Sequence, residues 1–232
     1  MADDDKARRV IDTLTGPWEK KHLPQMAAAL PGWVTSDHLT LLGILCSLLI
    51  AAGYALTRVS LWWLWLSNFG LFVHWYADSL DGTLARVRHR ERERYGYLVD
   101  HICDAWTALV LCLGLGMSRM MDMRVALFLA ATYLLLNIHV HIMAYVQKVF
   151  RISFGRFGPT EVRILIFIVN IALIFWNPRV TRYGGDPITA LDLFGLALAI
   201  VFVIIFAVSS IKDAIELDKL DRAGWKDQES HS

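Results

Sequence analysis

The sequence predicts an all-α membrane protein: six transmembrane helices preceded by a short N-terminal interfacial helix. Three observations carry that prediction. The 232 residues are 56% hydrophobic with a mean hydropathy of +0.43, too apolar for an ordinary soluble domain. Near-continuous apolar runs recur at about 39–57, 61–80, 98–117, 124–147, 161–176 and 189–211, each close to the ~20 residues that span a hydrocarbon core. They show neither strand alternation nor marked amphipathy, as suits helices surrounded by lipid and by one another. Finally, of the 23 Lys and Arg, only Arg58, Arg119, Arg124, Arg179 and Arg182 fall on the side opposite the two termini. The positive-inside rule therefore places both termini in the cytoplasm.

The elements follow in order. Residues 1 to about 15 are polar and read as a mobile lead-in. From Trp18 to Trp33 the residues Trp18, Leu23, Met26, Leu30 and Trp33 recur at helical spacing, which suits a helix lying at headgroup depth. Pro24 and Pro31 leave an irregular juxtamembrane segment as the alternative. No cleavable leader is expected, and the first span serves as its own insertion signal. Residues 1–38 thus form a cytoplasmic segment, 39–212 the six-helix domain and 213–232 a cytoplasmic tail. Cys46, Cys103 and Cys112 all fall inside predicted spans, an odd and buried set that argues for free thiols. Between the second and third spans, Arg88 to Arg94 alternate in charge and suit a wet loop or helical extension. In the fourth span, His139 and His141 are two apart and face different sides of a helix, so hydrogen-bonded helix packing competes with an acceptor-site role for His139. At the start of the fifth, Pro159 and Glu161 form an ordinary helix N-terminus, whereas Arg163 sits just inside the apolar run. It either complements an acidic site or snorkels to the membrane surface.

Four carboxylates stand where a hydrophobic chain should carry none. Asp78 and Asp81 are three apart, Asp100 and Asp104 four apart, so each pair shares a helix face and can grip a divalent cation. Intramembrane acids are costly and usually functional. Gly82 and Ala85 project within about 40° of Asp78 on a helical wheel, and Gly96 lies one turn before Asp100. Such small residues let a ligand approach the backbone. Arg86 adds a forked cation suited to phosphate oxygens. Cys103 points about 100° away from Asp104 and reads as packing.

The full pattern is Asp78-x-x-Asp81-Gly82-x-x-Ala85-Arg86, nine residues, then Gly96-x-x-x-Asp100-x-x-x-Asp104. It resembles the signature of the CDP-alcohol phosphotransferases, all eight specified positions being filled. Ser36-Asp37-His38-Leu39-Thr40 resembles that family's Pro-Asn-x-Leu-Thr entry to the first span, with Ser-Asp in place of Pro-Asn. The resemblance implies an alcohol oxygen displacing CMP from a CDP-linked donor. It implies Asp78, Asp81, Asp100 and Asp104 as ligands to two divalent cations, Asp104 also as general base, and Asp78, Gly82, Ala85, Arg86 and Gly96 around the nucleotide. It further implies a homodimer. All-oxygen ligands point to Mg2+ or Mn2+. A divalent-cation carrier is the non-enzymatic competitor, but carriers set such residues near the midplane on broken helices, not at one edge.

Substrate is the finer question. Asp100-His101-x-Cys103-Asp104 and Thr160-Glu161 resemble the choline/ethanolamine phosphotransferase branch, which implies a CDP-aminoalcohol donor and diacylglycerol. The length and span count look more like the bacterial and archaeal phosphatidyltransferases, which implies CDP-diacylglycerol, a polar alcohol such as serine, glycerol phosphate or inositol phosphate, and a prokaryotic cytoplasmic membrane. Acceptor-site candidates are Arg163, Glu161, His139 and Lys148; a neutral lipid alcohol is the expected acceptor, entering from the bilayer. With a net charge of +1, no nucleic-acid partner is expected.

Overall fold

The computed structural model describes residues 14–147, 159–176, 179–183 and 186–230. The helices are α1 (Gly16–Ala28), α2 (Ser36–Leu56), α3 (Leu64–Val87), α4 (Glu93–Gly116), α5 (Met123–Gln147), α6 (Pro159–Phe175) and α7 (Ala190–Ser230). Four of them, α2, α4, α5 and α7, are long and apolar enough to cross a membrane, which makes this a multi-pass membrane protein. The other two expected spans correspond to α3 and α6. α6 has only 17 residues, and α3 carries Asp78, Asp81 and Arg86 in its second half.

Two features differ from the sequence reading. A two-stranded antiparallel hairpin, β1 (Arg179–Tyr183) and β2 (Asp186–Thr189), joins α6 to α7, with Tyr183 opposite Asp186. It is too short to register against the long helical pattern, although Val180, Thr181 and Ile188 are β-branched. The second is at the C-terminus, where α7 runs unbroken for 41 residues, past the end of the apolar run at 211 and through the boundary set at 212 between the six-helix domain and the tail.

Small residues set the packing of the first three long helices. A Cβ on Gly70 of α3 would lie 3.2 Å from the Ile50 nitrogen and 3.3 Å from the Cys46 carbonyl of α2. A Cβ on Gly114 of α4 would lie 2.8 Å from Cβ and 2.9 Å from the carbonyl oxygen of Ala51. α2 is therefore clasped between α3 and α4 at backbone contact, the device membrane helices use where no hydrophobic force separates protein from lipid. Gly114→Ala is expected to cost about 1–3 kcal/mol by overpacking, read as a lower midpoint of thermal unfolding in detergent; an unchanged midpoint would contradict this interface.

Buried polar side chains tie in α6. Tyr54 donates to Asn170 Oδ1 (3.1 Å), and Asn170 Nδ2 donates to Asn68 Oδ1 (2.8 Å), linking α2, α6 and α3 in sequence. Around them Ile50, Tyr54, Leu64, Leu71, Met120 and Leu173 form one apolar core. α1 is attached at both ends. Leu23 and Ala27 are buried with Leu39, Leu80 and Leu84 of α2 and α3. Arg88 donates to the carbonyls of Leu30, Pro31 and Val34 beyond the end of α1. At the other end, Thr15 donates to Glu161 Oε1 through its backbone N–H (2.9 Å) and hydroxyl (3.1 Å), while Thr160 donates to Glu19 Oε1 (2.7 Å). His139 of α5 contacts Asp213 Oδ2 (3.0 Å) and Ser210 Oγ (3.2 Å) of α7, which is helix packing by hydrogen bonds.

Candidate active site

α2 begins in a capping box: the Thr35 hydroxyl accepts from the His38 N–H (3.3 Å), and Thr35 N–H donates to His38 Nδ1 (3.2 Å). This start fixes Ser36 and Thr40 against α3. Ser36 Oγ donates to the Asp81 carbonyl (2.8 Å), and Thr40 Oγ1 donates to the Asp81 carboxylate (3.0 Å). A short connection from Arg88 to Arg92, with His89 at φ 52°, reverses the chain between α3 and α4. The non-glycine residue in that left-handed region marks a tight turn. The reversal brings the two acidic pairs to the same end of the two helices that flank α2.

Asp78, Asp81, Asp100 and Asp104 line one pocket. Its inner wall is Leu39, Gly43 and Ile44 of α2, and its floor holds His74, whose Nε2 lies 3.1 Å from Thr107 Oγ1 of α4. Each carboxylate has a different setting. Asp81 also accepts from the Gly82 N–H (2.6 Å). Asp78 accepts from Arg163 Nη2 of α6 at 2.7 Å, with side chains only 27% and 16% exposed. Asp100 is more open, 41% exposed, with His101 Nδ1 4.0 Å away. The donor atoms of Asp100, His101 and Asp104 all fall within 4.8 Å of one another. Carboxylate oxygens with one nearby imidazole nitrogen are a donor set that fits a divalent cation.

A groove of about 330 Å³ is lined by Arg163 and lies between α1, α3 and α6. Leu71, Phe72, Trp75, Ile164 and Phe167 make it apolar, and Thr15, Glu19 and Thr160 edge it. Arg163 lines this groove while bonded to Asp78 of the acidic pocket, so one side chain links the two spaces. The Trp75 indole Nε1 is buried and has no hydrogen-bond partner among the described residues.

Residues 33–207 match the model of the CDP-alcohol phosphatidyltransferase family. The chain belongs to that family. Among proteins similar to this chain are cholinephosphotransferase 1 of Gallus gallus, 28% identical over 181 residues, and of Danio rerio, 29% identical over 170 residues. These alignments cover 74% and 67% of this chain but 52% and 43% of the relatives. An uncharacterized CDP-alcohol phosphatidyltransferase class-I family protein 2 of Dictyostelium discoideum is 24% identical over 187 residues, 77% of this chain and 43% of its own length. The chain thus spans about half the length of the curated relatives it matches, or less.

The other residues of the CDP-alcohol phosphatidyltransferase signature sit beside the pocket rather than in its lining. Gly82 and Gly96 are exposed, and a Cβ at Gly96 would meet nothing within 4 Å. Arg86 is exposed and donates to Thr83 Oγ1 (3.1 Å) on its own helix; Ala85 is half-buried. Of the acceptor-site candidates, Arg163 joins the acidic pocket, Glu161 is buried where Thr15 binds it, and His139 faces α7. Lys148 lies outside the described residues, as do Arg151 and Arg156. Cys103 differs from expectation: it lines the pocket, because Asp100, Cys103, Asp104 and Thr107 recur at i, i+3, i+4 and i+7 and so share one face of α4. Thr40 and His101 entered the sequence reading only as members of the Leu-Thr helix entry and of the Asp100-His101-x-Cys103-Asp104 pattern, with no role of their own, and Thr107 carried no signal.

Proposed function

We propose that this family member is a phospholipid-synthesising CDP-alcohol phosphotransferase that moves a phosphoaminoalcohol from a CDP-linked donor to diacylglycerol, releasing CMP. The observation that carries the reading is an apolar groove lined by Arg163, whose guanidinium bonds Asp78 of the four-carboxylate pocket. A lipid alcohol can reach such a site sideways, and the unpartnered Trp75 N–H offers a donor to an ester carbonyl. Similarity to cholinephosphotransferase 1 supports the same donor class.

The acceptor hydroxyl attacks the phosphorus that bears the aminoalcohol, the bond from that phosphorus to the CMP oxygen breaks, and the hydroxyl proton passes to Asp104. Asp78, Asp81 and Asp100, with Asp104, would hold two divalent cations, Mg2+ or Mn2+. These supply the positive charge that lets a diphosphate enter a tetra-acidic pocket and that stabilises charge on the transferred phosphoryl. Thr40 orients Asp81, and the His74–Thr107 contact ties α3 to α4 beside the acids. Exposed Gly82 and Gly96, with Ala85 and Arg86, form the open rim where the nucleotide would lie.

In the membrane we read α2 to α7 as six spans and α1 as an interfacial helix, its exposed Trp18 and nearby Trp33 at headgroup depth. The pocket then faces the cytoplasm, and the assembly is a homodimer. The test is CMP release by purified protein from a panel of CDP donors and acceptors. CDP-choline or CDP-ethanolamine with diacylglycerol is expected to give product phospholipid. Turnover only with CDP-diacylglycerol and a polar alcohol would reverse which substrate carries the lipid.

A further inference from the structure

We infer that His101 supplies an imidazole nitrogen to one divalent cation of the acidic site and thereby biases that site toward first-row transition ions, Mn2+ above Mg2+. The inference rests on the metal-dependent reading above but goes beyond the four signature carboxylates. His101 follows Asp100 directly and precedes Asp104 by three residues on α4, so it shares a helix face with Asp104. Donors about 2.0–2.2 Å from one ion lie at most about 4.4 Å apart. The donor atoms of Asp100, His101 and Asp104 lie within 4.8 Å of one another, so side-chain rotation alone can gather them around one ion.

The imidazole is also held from behind. Its ring meets Tyr97 edge-on at a centroid distance of 4.2 Å and His141 of α5 at 4.2 Å, tilted by 44°. The Tyr97 hydroxyl lies 3.2 Å from His141 Nδ1, which links the two flanking rings. The His101 side chain is only 14% exposed. A ring wedged between two others, next to two carboxylates, is oriented before any ion arrives. That is the arrangement by which surrounding groups fix a metal-binding histidine. Carboxylates alone suit Mg2+, Ca2+ and Mn2+ alike, whereas imidazole favours the transition ions.

The experiment is electron spin-echo envelope modulation of Mn2+ bound to the purified full chain in lipid nanodiscs. The wild type is expected to show nitrogen coupling of a directly bound imidazole, and labelling the histidines with 15N shifts that pattern without any mutation. His101→Gln removes the coupling, while His141→Gln retains it. Loss of an outer-shell partner already lowers metal affinity about 10–100-fold, so the Mn2+ over Mg2+ preference, read by competition, is expected to fall at least about tenfold in His101→Gln. Bound Mn2+ without nitrogen coupling, or coupling that survives His101→Gln, overturns the role of His101 alone. No binding of Mn2+ to the wild type overturns both this inference and the metal-dependent reading on which it rests.

Discussion

Replacing Asp104 with asparagine is expected to lower kcat by about 10²–10⁴-fold, the range a positioned general base supplies, while the protein stays folded and donor affinity changes by a few-fold at most. Asparagine matches the carboxylate in size but cannot accept the proton of the attacking hydroxyl. Asp104 lies on α4 facing the same pocket as Asp78 and Asp81 of α3. Single-turnover CMP release beside equilibrium binding of a CDP donor separates the two effects. Asp78→Asn and Asp100→Asn should behave differently, losing cation and donor together, because the anionic donor enters only with its counter-cations. Turnover in Asp104→Asn comparable to the wild type would remove this residue from the proton transfer.

The other large effect concerns Arg163. Its guanidinium is 2.7 Å from Asp78, and both side chains are mostly buried. Removing one partner of a buried ion pair strands the other, at a cost of about 3–5 kcal/mol. Here the stranded group would be Asp78, beside three further carboxylates. Arg163→Leu is therefore expected to unfold at a markedly lower temperature in EDTA. Saturating Mg2+ or Mn2+ should restore much of the loss, because a bound cation supplies the missing positive charge. The difference between wild type and variant should shrink when cation is added; an equal deficit in both conditions would mean that the pair is not coupled to the metal site.

How much of this was legible beforehand depended on the physical range of each signal. The apolar runs located every long helix, since burial in lipid demands a continuous stretch of about twenty residues. The aspartates were visible because their cost in an apolar chain is high and their spacing matches a helical turn. That Arg163 would meet Asp78 was left open, because the contact joins α3 to α6 across 85 positions and nothing local encodes it. The Tyr54–Asn170–Asn68 chain was invisible for the same reason. His101 was overlooked as a donor because it resembled a neighbour of the motif, and its closeness to Asp104 emerges only with rotamers in place. The hairpin after α6 escaped because nine strand residues are a weak pattern beside helices of twenty or more.

The clasp of α2 between α3 and α4 bears on how the chain is made. These helices are consecutive and meet through short connections, so they can associate in the bilayer as soon as α4 leaves the ribosome. All four aspartates and Thr40 belong to this early unit. Arg163, the cation that answers Asp78, belongs to α6 and is synthesised only after the whole of α5. The nascent protein therefore passes through a stage in which its acidic cluster has formed and its own counter-charge does not yet exist. During that interval Asp78 is left to water, so the order of synthesis, and not only the finished packing, decides when the acidic cluster acquires its partner on α6.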